Sequence, residues 1–202
     1  MKGIHVGVPD DFPLWLERKT VPSMTWGTDH GEEAVFVLSG DLGFRVAIVE
    51  AGVPFRVDGD AEVLVMGRRD GSISGGETVH VVGDAGRWAN VEPGRDTRYY
   101  ADSSCPTCDV TLFTTGRDDA HTSAPHSHSS DELIHVLDGE LVLGSLHVRA
   151  GETLAIAGGQ RYGFRTTGAF RFLNYRPCAA TMTRDGVTIE EGPLAHGFER
   201  VA

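Results

Sequence analysis

Short apolar stretches alternate with turn residues along most of this chain. Each stretch is rich in Val, Ile, Leu and Phe, and Gly, Asp or Pro separates it from the next. Runs of this kind between turn signals are typical of β-strands. The clearest runs are 34–38, 44–49, 62–66, 78–82, 110–114, 133–137, 140–143, 153–156 and 170–175. The pattern predicts an all-β protein.

Helix signals are scarce by comparison. The best candidate is the short segment 13–19, and no apolar run approaches the roughly 18 residues that a transmembrane helix needs. The first residues lack the basic-then-apolar order of a signal peptide, so we expect a cytoplasmic protein. With 26 glycines and 9 prolines to form corners, a sandwich or barrel is the expected architecture.

The net charge of the chain limits the classes of partner that it can bind. The chain has 202 residues and a formal net charge of -11, and it contains no basic run. Nucleic-acid affinity comes largely from Lys and Arg side chains that neutralise phosphates. We therefore expect no nucleic acid and no membrane as a partner, and a small molecule instead.

The three cysteines, Cys105, Cys108 and Cys178, are too few for a disulfide framework, and their odd number fits a reducing compartment. The pair Cys105 and Cys108 has the spacing of half a zinc site or of a redox motif. A zinc site needs a second pair, however, and a redox motif should open a helix after a strand. We interpret the pair as two incidental thiols in a linker.

The two halves of the chain resemble each other. Gly76-Glu77-Thr78 matches Gly151-Glu152-Thr153, and each triplet is followed by apolar residues, a glycine and an Arg-aromatic pair, Arg87-Trp88 or Arg161-Tyr162. Upstream, Pro54 and Asp60 align with Pro125 and Asp131. Internal repeats of this kind indicate a tandem duplication, here a weak one.

The segment from Pro125 to Gly139 carries the candidate chemistry. Side chains at i and i+2 on a strand share one face, so His126 and His128 both point inward. Glu132 begins the next apolar run with the same inward parity, provided that the turn keeps the register. Two histidines and one carboxylate suit Fe²⁺, Mn²⁺, Ni²⁺ or Zn²⁺. A surface turn is the alternative, but this spacing ahead of an apolar strand favours metal ligands.

At this point the segment resembles the first motif of the cupin superfamily, which His126, His128, Glu132 and Gly139 match in spacing. The family's second motif corresponds to Gly151, Ala157, Gly159 and Tyr162. There Ala157 replaces the usual proline, and Tyr162 replaces the histidine that is the fourth metal ligand. The resemblance covers 111–177 and extends to the first half only through the internal repeat.

The resemblance implies a double-stranded β-helix, or jelly-roll, barrel in two tandem units. Residues 1–100 would form a degenerate cupin-like unit, 101–180 the metal-binding cupin, and 181–202 a tail that packs on the barrel. It also implies a homodimer and one divalent transition metal in the barrel mouth, with iron favoured over Mn, Ni or Zn. By the repeat alignment Phe55, Val57 and Ala61 stand for the three ligands in the first unit. We therefore expect that unit to be filled with apolar side chains and to hold no metal.

Tyr162 is the candidate catalytic residue. It can ligate the metal as a phenolate, donate a hydrogen bond to a bound ligand, or act as an acid or base when its pKa is lowered. It can equally be a packed aromatic, and Trp88 at the matching place favours that alternative.

Three functions remain open. The first is a metal-dependent enzyme acting on a small organic molecule, with an Fe(II)-type dioxygenase favoured because open metal positions suit oxygen and substrate together. The second is a non-redox lyase, isomerase or hydrolase that uses the metal as a Lewis acid and Tyr162 as proton carrier. The third is a binding or sensing module without turnover.

Overall fold

The protein is built of antiparallel β-strands. The computed structural model describes residues 3–102, 105–193 and 198–201, with the side chains of 91 and 92 excepted. The first strands are β1 (Ile4–Val6), β2 (Leu14–Trp26), β3 (Glu33–Gly40), β4 (Val46–Val49), β5 (Phe55–Arg68), β6 (Val79–Val82), β7 (Trp88–Glu92), β8 (Arg95–Ala101) and β9 (Thr111–Arg117). The others are β10 (Ser127–His128), β11 (Glu132–Asp138), β12 (Glu140–Leu143), β13 (Leu146–Arg149), β14 (Thr153–Ile156), β15 (Phe170–Arg176), β16 (Thr181–Arg184), β17 (Val187–Glu190) and β18 (Glu199–Arg200).

The all-β prediction is confirmed. Within the described ranges the chain forms no helix, and hence none long and apolar enough to cross a membrane. The helix candidate at 13–19 was wrong, because most of it belongs to β2. Leu14 is 1% exposed, and β2 pairs with β5 over nearly its whole length. This long antiparallel pairing overrides the weak local helix signal.

Two large sheets form the framework. A five-stranded sheet has the order β2-β5-β3-β4-β6, and an eight-stranded sheet has the order β1-β14-β11-β15-β9-β8-β7-β18. Within the second sheet, β9-β15-β11-β14 repeats the order β2-β5-β3-β4 of the first. The matching order favours the predicted tandem arrangement, which stays a prediction. Strands β7 and β8, at 88–101, extend the eight-stranded sheet, so its pairing runs across the predicted boundary at residue 100.

The two sheets pack against each other through a shared apolar core. Alternate residues of β3 point to opposite faces: Ala34 and Phe36 face this shared core, whereas Val35 and Val37 face the interior of the first half. From the second half, Leu112, Leu133, Ala155, Leu173 and Tyr175 enter the same core. The two halves therefore meet through an apolar interface. It also explains why these strands are apolar on both faces.

The sheet order corrects the residue alignment of the two halves. Thr78 precedes the edge strand β6, whereas Thr153 opens β14, an inner strand whose counterpart is β4. The equivalent of β11 is β3, and Glu33–Gly40 has the same spacing as Glu132–Gly139. Gly40 and Gly139 both have positive φ, and at both a Cβ would collide with the backbone of the neighbouring strand.

The corrected alignment also changes which residues of the first half correspond to the candidate ligands. Trp26 pairs with Phe55 and Met24 with Val57, as His126 pairs with Tyr162. Phe55 and Val57 therefore match the strand of Tyr162, and Ala61 matches no ligand. In the first half Glu33 Oε2 accepts a hydrogen bond from Trp26 Nε1 at 2.8 Å, at the place that corresponds to the candidate metal centre. Apolar side chains of 24–65 fill the rest of that interior, as expected.

Candidate metal centre and ligand pocket

Backbone pairing places His126 directly opposite Tyr162. His126 N–H donates to Tyr162 O and Tyr162 N–H donates to His126 O, both at 2.8 Å. His128 follows on β10, which pairs with the C-terminal strand β16, and Glu132 opens β11. The register across the turn is kept, because Glu132 and Ile134 both face the interior of the second half. The four predicted residues thus meet at one end of that interior.

Three of these side chains border a cavity of about 280 Å³. His126, His128 and Tyr162 line it together with Phe113, Phe164, Phe170 and Phe172. Four arginines also line it, namely Arg95, Arg117, Arg176 and Arg184, against one lining carboxylate, Glu191. A cavity of this size with aromatic walls and a few convergent polar groups is typical of a small-molecule site.

The two histidines are held in the orientation that metal ligands need. Nδ1 of His126 lies 2.8 Å from the carbonyl oxygen of Ala124, and Nδ1 of His128 lies 2.6 Å from Oε2 of Glu191. Since both partners only accept, each Nδ1 carries the proton in the neutral ring and each Nε2 keeps its lone pair. A carboxylate or carbonyl behind the ring is the usual outer partner of a metal-binding histidine.

Glu132 is buried, and hydrogen-bond donors contact one of its two carboxylate oxygens. Its Oε2 accepts from Asn174 Nδ2 at 2.8 Å and from Arg176 at 3.2 Å, whereas Oε1 has no hydrogen-bond partner among the described residues. Oε1 lies 3.9 Å from His128 Nε2. Burial by itself raises the pKa of Glu132, but the charge of Arg176 holds it below its ordinary value. An ionised carboxylate with one free buried oxygen fits a metal ligand.

Arg176 occupies the space between the candidate ligands. Its Nη2 lies 3.2 Å from both His128 Nε2 and Glu132 Oε2, and its Nη1 donates to Glu191 Oε2 at 2.7 Å. The ligand atoms of His126, His128 and Glu132 accordingly do not gather within 4.8 Å of one another. The donor types fit a divalent transition metal, which supplies Lewis acidity or redox chemistry when bound, but a cation must compete there with the guanidinium.

Tyr162 lies in the same place with its ring 4.7 Å from that of His126 and 6.0 Å from that of His128. Its side chain is 6% exposed. Burial and the negative charge of Glu132 raise the pKa of Tyr162 well above its ordinary value. In this arrangement it is a neutral phenol whose hydroxyl hydrogen-bonds to the carboxylate of Glu132. The raised pKa disfavours the phenolate ligand and leaves a hydrogen-bond donor.

The sequence analysis missed three polar residues of this site: Asn174, Arg176 and Glu191. A signal for the first two existed, because Phe172, Asn174 and Arg176 share one face of β15 at period two, and a buried polar pair on an apolar face requires partners. Glu191 had no signal. It follows β17 and reaches His128 only because the C-terminal hairpin folds back onto β10.

The interpretation of Cys105 and Cys108 as incidental thiols was wrong. The two residues form a disulfide, and Cys105 Sγ lies 3.6 Å from His80 Nε2. Both cysteines are buried, and His80 comes from β6 of the five-stranded sheet. No local pattern predicts this contact, because His80 is 25 residues away from Cys105.

No family model and no curated protein matches this sequence. Solved structures do match by shape. An IolB-like protein from Salmonella typhimurium LT2 has a TM-score of 0.66 at 11% identity, over 95% of this chain and 97% of that one. Recombinant pro-11S globulin of pumpkin has a TM-score of 0.63 at 11% identity, over 89% and 83% of the two chains. The coconut allergen cocosin has a TM-score of 0.62 at 10% identity, over 89% and 82%.

The seed globulins are cupin-like proteins, and they align with most of this chain. This chain therefore has a cupin fold. The jelly-roll barrel that the first-motif spacing predicted is confirmed. A cupin fold is shared by many functions, so the function has to be argued from the cavity.

Proposed function

We propose that this cupin is a metal-dependent enzyme that acts on a small anionic organic molecule. One observation carries the proposal: Nε2 of His126 and Nε2 of His128 both keep their lone pairs on a cavity beside the unpaired Oε1 of buried Glu132. Two imidazoles and a carboxylate leave several positions open on one divalent ion. We favour iron at this site.

The arginines that line the cavity support an anionic substrate. The chain as a whole is acidic, with a formal charge of -11, yet four guanidinium groups and one carboxylate border this cavity. Arginine offers a planar fork that binds carboxylates in a bidentate manner. Phe113, Phe164 and Phe172 supply apolar walls for the body of the molecule. A small carboxylic acid or phenol suits this lining.

Each side chain of the site has a task in the proposed reaction. The arginines orient the negative group of the substrate, and the phenylalanines exclude water from it. Glu191 fixes the ring of His128, and Asn174 fixes Glu132. Tyr162 is a neutral phenol that donates a hydrogen bond to the substrate. The finer proposal is a dioxygenase; the non-redox lyase, isomerase or hydrolase remains its alternative.

Metal analysis tests the central claim. The full chain, purified without chelator or nickel affinity resin and with its disulfide intact, should hold about one transition ion. The His126→Ala/His128→Ala double variant should lose that ion and keep its far-UV circular dichroism spectrum. His147→Ala, which removes an exposed histidine of β13, is the matched control and should keep the ion. Undiminished metal in the double variant would contradict the proposal.

Oxygen uptake separates the reaction classes. The iron-loaded protein should consume oxygen with at least one compound in a panel of small acids and phenols, and the double variant should not. Turnover without oxygen consumption indicates the non-redox alternative.

Arg176 favours a second candidate function, a binding module without metal. Its guanidinium already hydrogen-bonds to His128 Nε2 and Glu132 Oε2. These two groups therefore have a cationic partner without a metal ion. In that case calorimetry should show binding of a small acid to metal-free protein, with neither turnover nor any effect of added iron.

A further inference from the structure

We propose that His80, Cys105 and Cys108 form a second metal site, which binds Zn²⁺ when the two cysteines are reduced. Their ligand atoms all lie within 4.8 Å of one another, and they are the one such group of His, Cys, Asp or Glu found among the described residues. None of the three lines the cupin cavity. Thiolates and an imidazole are the ligands of structural zinc.

The distances agree with a tetrahedral ion. Cys105 Sγ lies 3.6 Å from His80 Nε2. A sulfur and a nitrogen that share one zinc, at about 2.3 and 2.0 Å from it, stand about 3.5 Å apart. The N–H of Cys108 donates to Cys105 Sγ at 3.2 Å, which stabilises negative charge on that sulfur. Two cysteines with two residues between them are the usual half of a zinc site.

Glu50 adds a negative charge beside this group. Its carboxylate is 1% exposed, accepts from the N–H groups of Glu77 and Thr78, and lies 2.6 Å from His80 Nε2. The nitrogen that would bind zinc now donates its proton to Glu50. Because Glu50 is fixed by the backbone, its charge stays beside the site when a cation replaces that proton.

Reduction has to precede zinc binding. The sulfurs now form a disulfide, in which neither carries the negative charge that a cation needs. A small dithiol breaks this bond: two electrons and two protons pass to Cys105 and Cys108, and the reductant closes its own disulfide. Zn²⁺ then displaces the two thiol protons. A disulfide oxidant that takes two electrons from the thiolates restores the bond and releases the ion.

The site joins the two large sheets. His80 belongs to β6 of the five-stranded sheet, and the cysteines lie in the connection that leads from β8 into β9 of the eight-stranded sheet. The disulfide closes only a short loop within that connection, whereas a zinc ion would tie the connection to β6. We therefore expect the reduced protein to be stabilised by zinc.

Cobalt(II) as a spectroscopic probe tests this proposal. The His126→Ala/His128→Ala chain serves as background, so that the cupin cavity contributes no signal. It is reduced with a phosphine, freed of reductant without air, and titrated with Co²⁺. We expect one equivalent to give thiolate-to-cobalt charge-transfer bands and the intense visible absorption of a tetrahedral ion. Added Zn²⁺ should displace both and raise the melting temperature.

Four controls make the outcome decisive. The oxidised protein, which has the same residues, should show no bands. Cys178→Ser, at the free cysteine, should leave the bands unchanged. Cys105→Ser should abolish the charge-transfer bands. The side chain of His80 is partly exposed, and His80→Gln should weaken cobalt binding at least tenfold. Absence of the bands in the reduced background protein, or their persistence in Cys105→Ser, would overturn the proposal.

Discussion

Arg176 Nη2 lies 3.2 Å from Nε2 of His128, a residue that the sequence predicts as a metal ligand. The same guanidinium pairs with Glu132 and Glu191, so a single buried cation neutralises two buried carboxylates. Its side chain is 3% exposed, and the charges of Glu132 and Glu191 outweigh burial and raise its pKa. Any metal in this cavity must compete with a charge that is already paired.

Replacing Arg176 by Met should therefore have opposite effects on stability and on metal affinity. The metal-free protein should lose about 3 kcal/mol of unfolding free energy, because two carboxylates are left buried without a cation. Metal affinity should rise about tenfold or more, because a repelling charge a few ångströms away is gone. Urea unfolding with and without Fe²⁺ or Mn²⁺ measures both quantities.

Arg171→Met is the matched control on the same strand. Arg171 is 40% exposed and pairs with Asp96 at the surface, so its loss should change stability by less than about 1 kcal/mol and leave metal affinity unchanged. Equal metal affinity in Arg176→Met and the unaltered protein would show that the guanidinium does not compete with the ion.

Two substitutions of Tyr162 show whether its hydroxyl takes part in the reaction or its ring is only a packed aromatic. Tyr162→Phe keeps the ring against His126 but removes the hydroxyl, so the fold should survive while kcat falls by about a hundredfold. Tyr162→His should tighten metal binding, because it supplies the fourth ligand of the usual cupin set. Steady-state kinetics with a substrate from the oxygen-uptake panel and metal analysis read out the two variants. A Phe variant with unaltered kcat and metal content would support the packed-aromatic alternative.

His135 should make the protein sensitive to acid. Burial, followed by the charge of Arg18, lowers the pKa of His135 to about 4. Above about pH 6.5 the ring is neutral in both folded and unfolded chains. As the pH falls from about 6.5 toward 4, His135 is protonated in the unfolded chain but stays neutral in the folded chain. The unfolding free energy should drop by up to about 3 kcal/mol over this range.

The variant His135→Gln tests this dependence. Its unfolding free energy, followed by urea titration, should fall less steeply between pH 6.5 and 4 than that of the unaltered protein. His147→Gln replaces a half-exposed histidine and should reproduce the original slope. Identical slopes for all three proteins would mean that His135 is not kept neutral by the fold.

The second half should not fold well alone. A fragment spanning 101–202 loses β1 and β8, the strands that pair with β14 and β9. It also exposes the apolar face that includes Leu133, Leu173 and Tyr175. Uncovered faces of this kind favour aggregation. We expect a fragment that aggregates in size-exclusion chromatography, although it carries the candidate ligands. A soluble fragment with full metal content would refute this.

The local pattern of the sequence was sufficient to predict the strands and part of the candidate site. Alternation and turn residues predicted the strands because side-chain direction has a period of two on any strand. The spacing of His126, His128 and Glu132 was sufficient to place them on one side, since a short turn joins their strands.

Long-range pairing decided the rest. His135 has the opposite strand parity from Ile134 and Val136, which is typical of an outward side chain, yet in the folded chain it is only 4% exposed. The sequence repeat at Gly76 and Gly151 aligned the halves incorrectly, because strand order and not local similarity defines equivalent strands.

The strands and the three candidate ligands could be predicted because they depend on neighbours along the chain, and the barrel was predicted from the resemblance of the motif spacing to the cupin family. Only the tertiary structure placed Arg176 between His128 and Glu132, Glu191 behind His128 at a separation of 63 residues, and His80 against Cys105. Such contacts join residues that no periodicity connects. They arise when sheets close on each other, since every charge buried by that closure must find a partner.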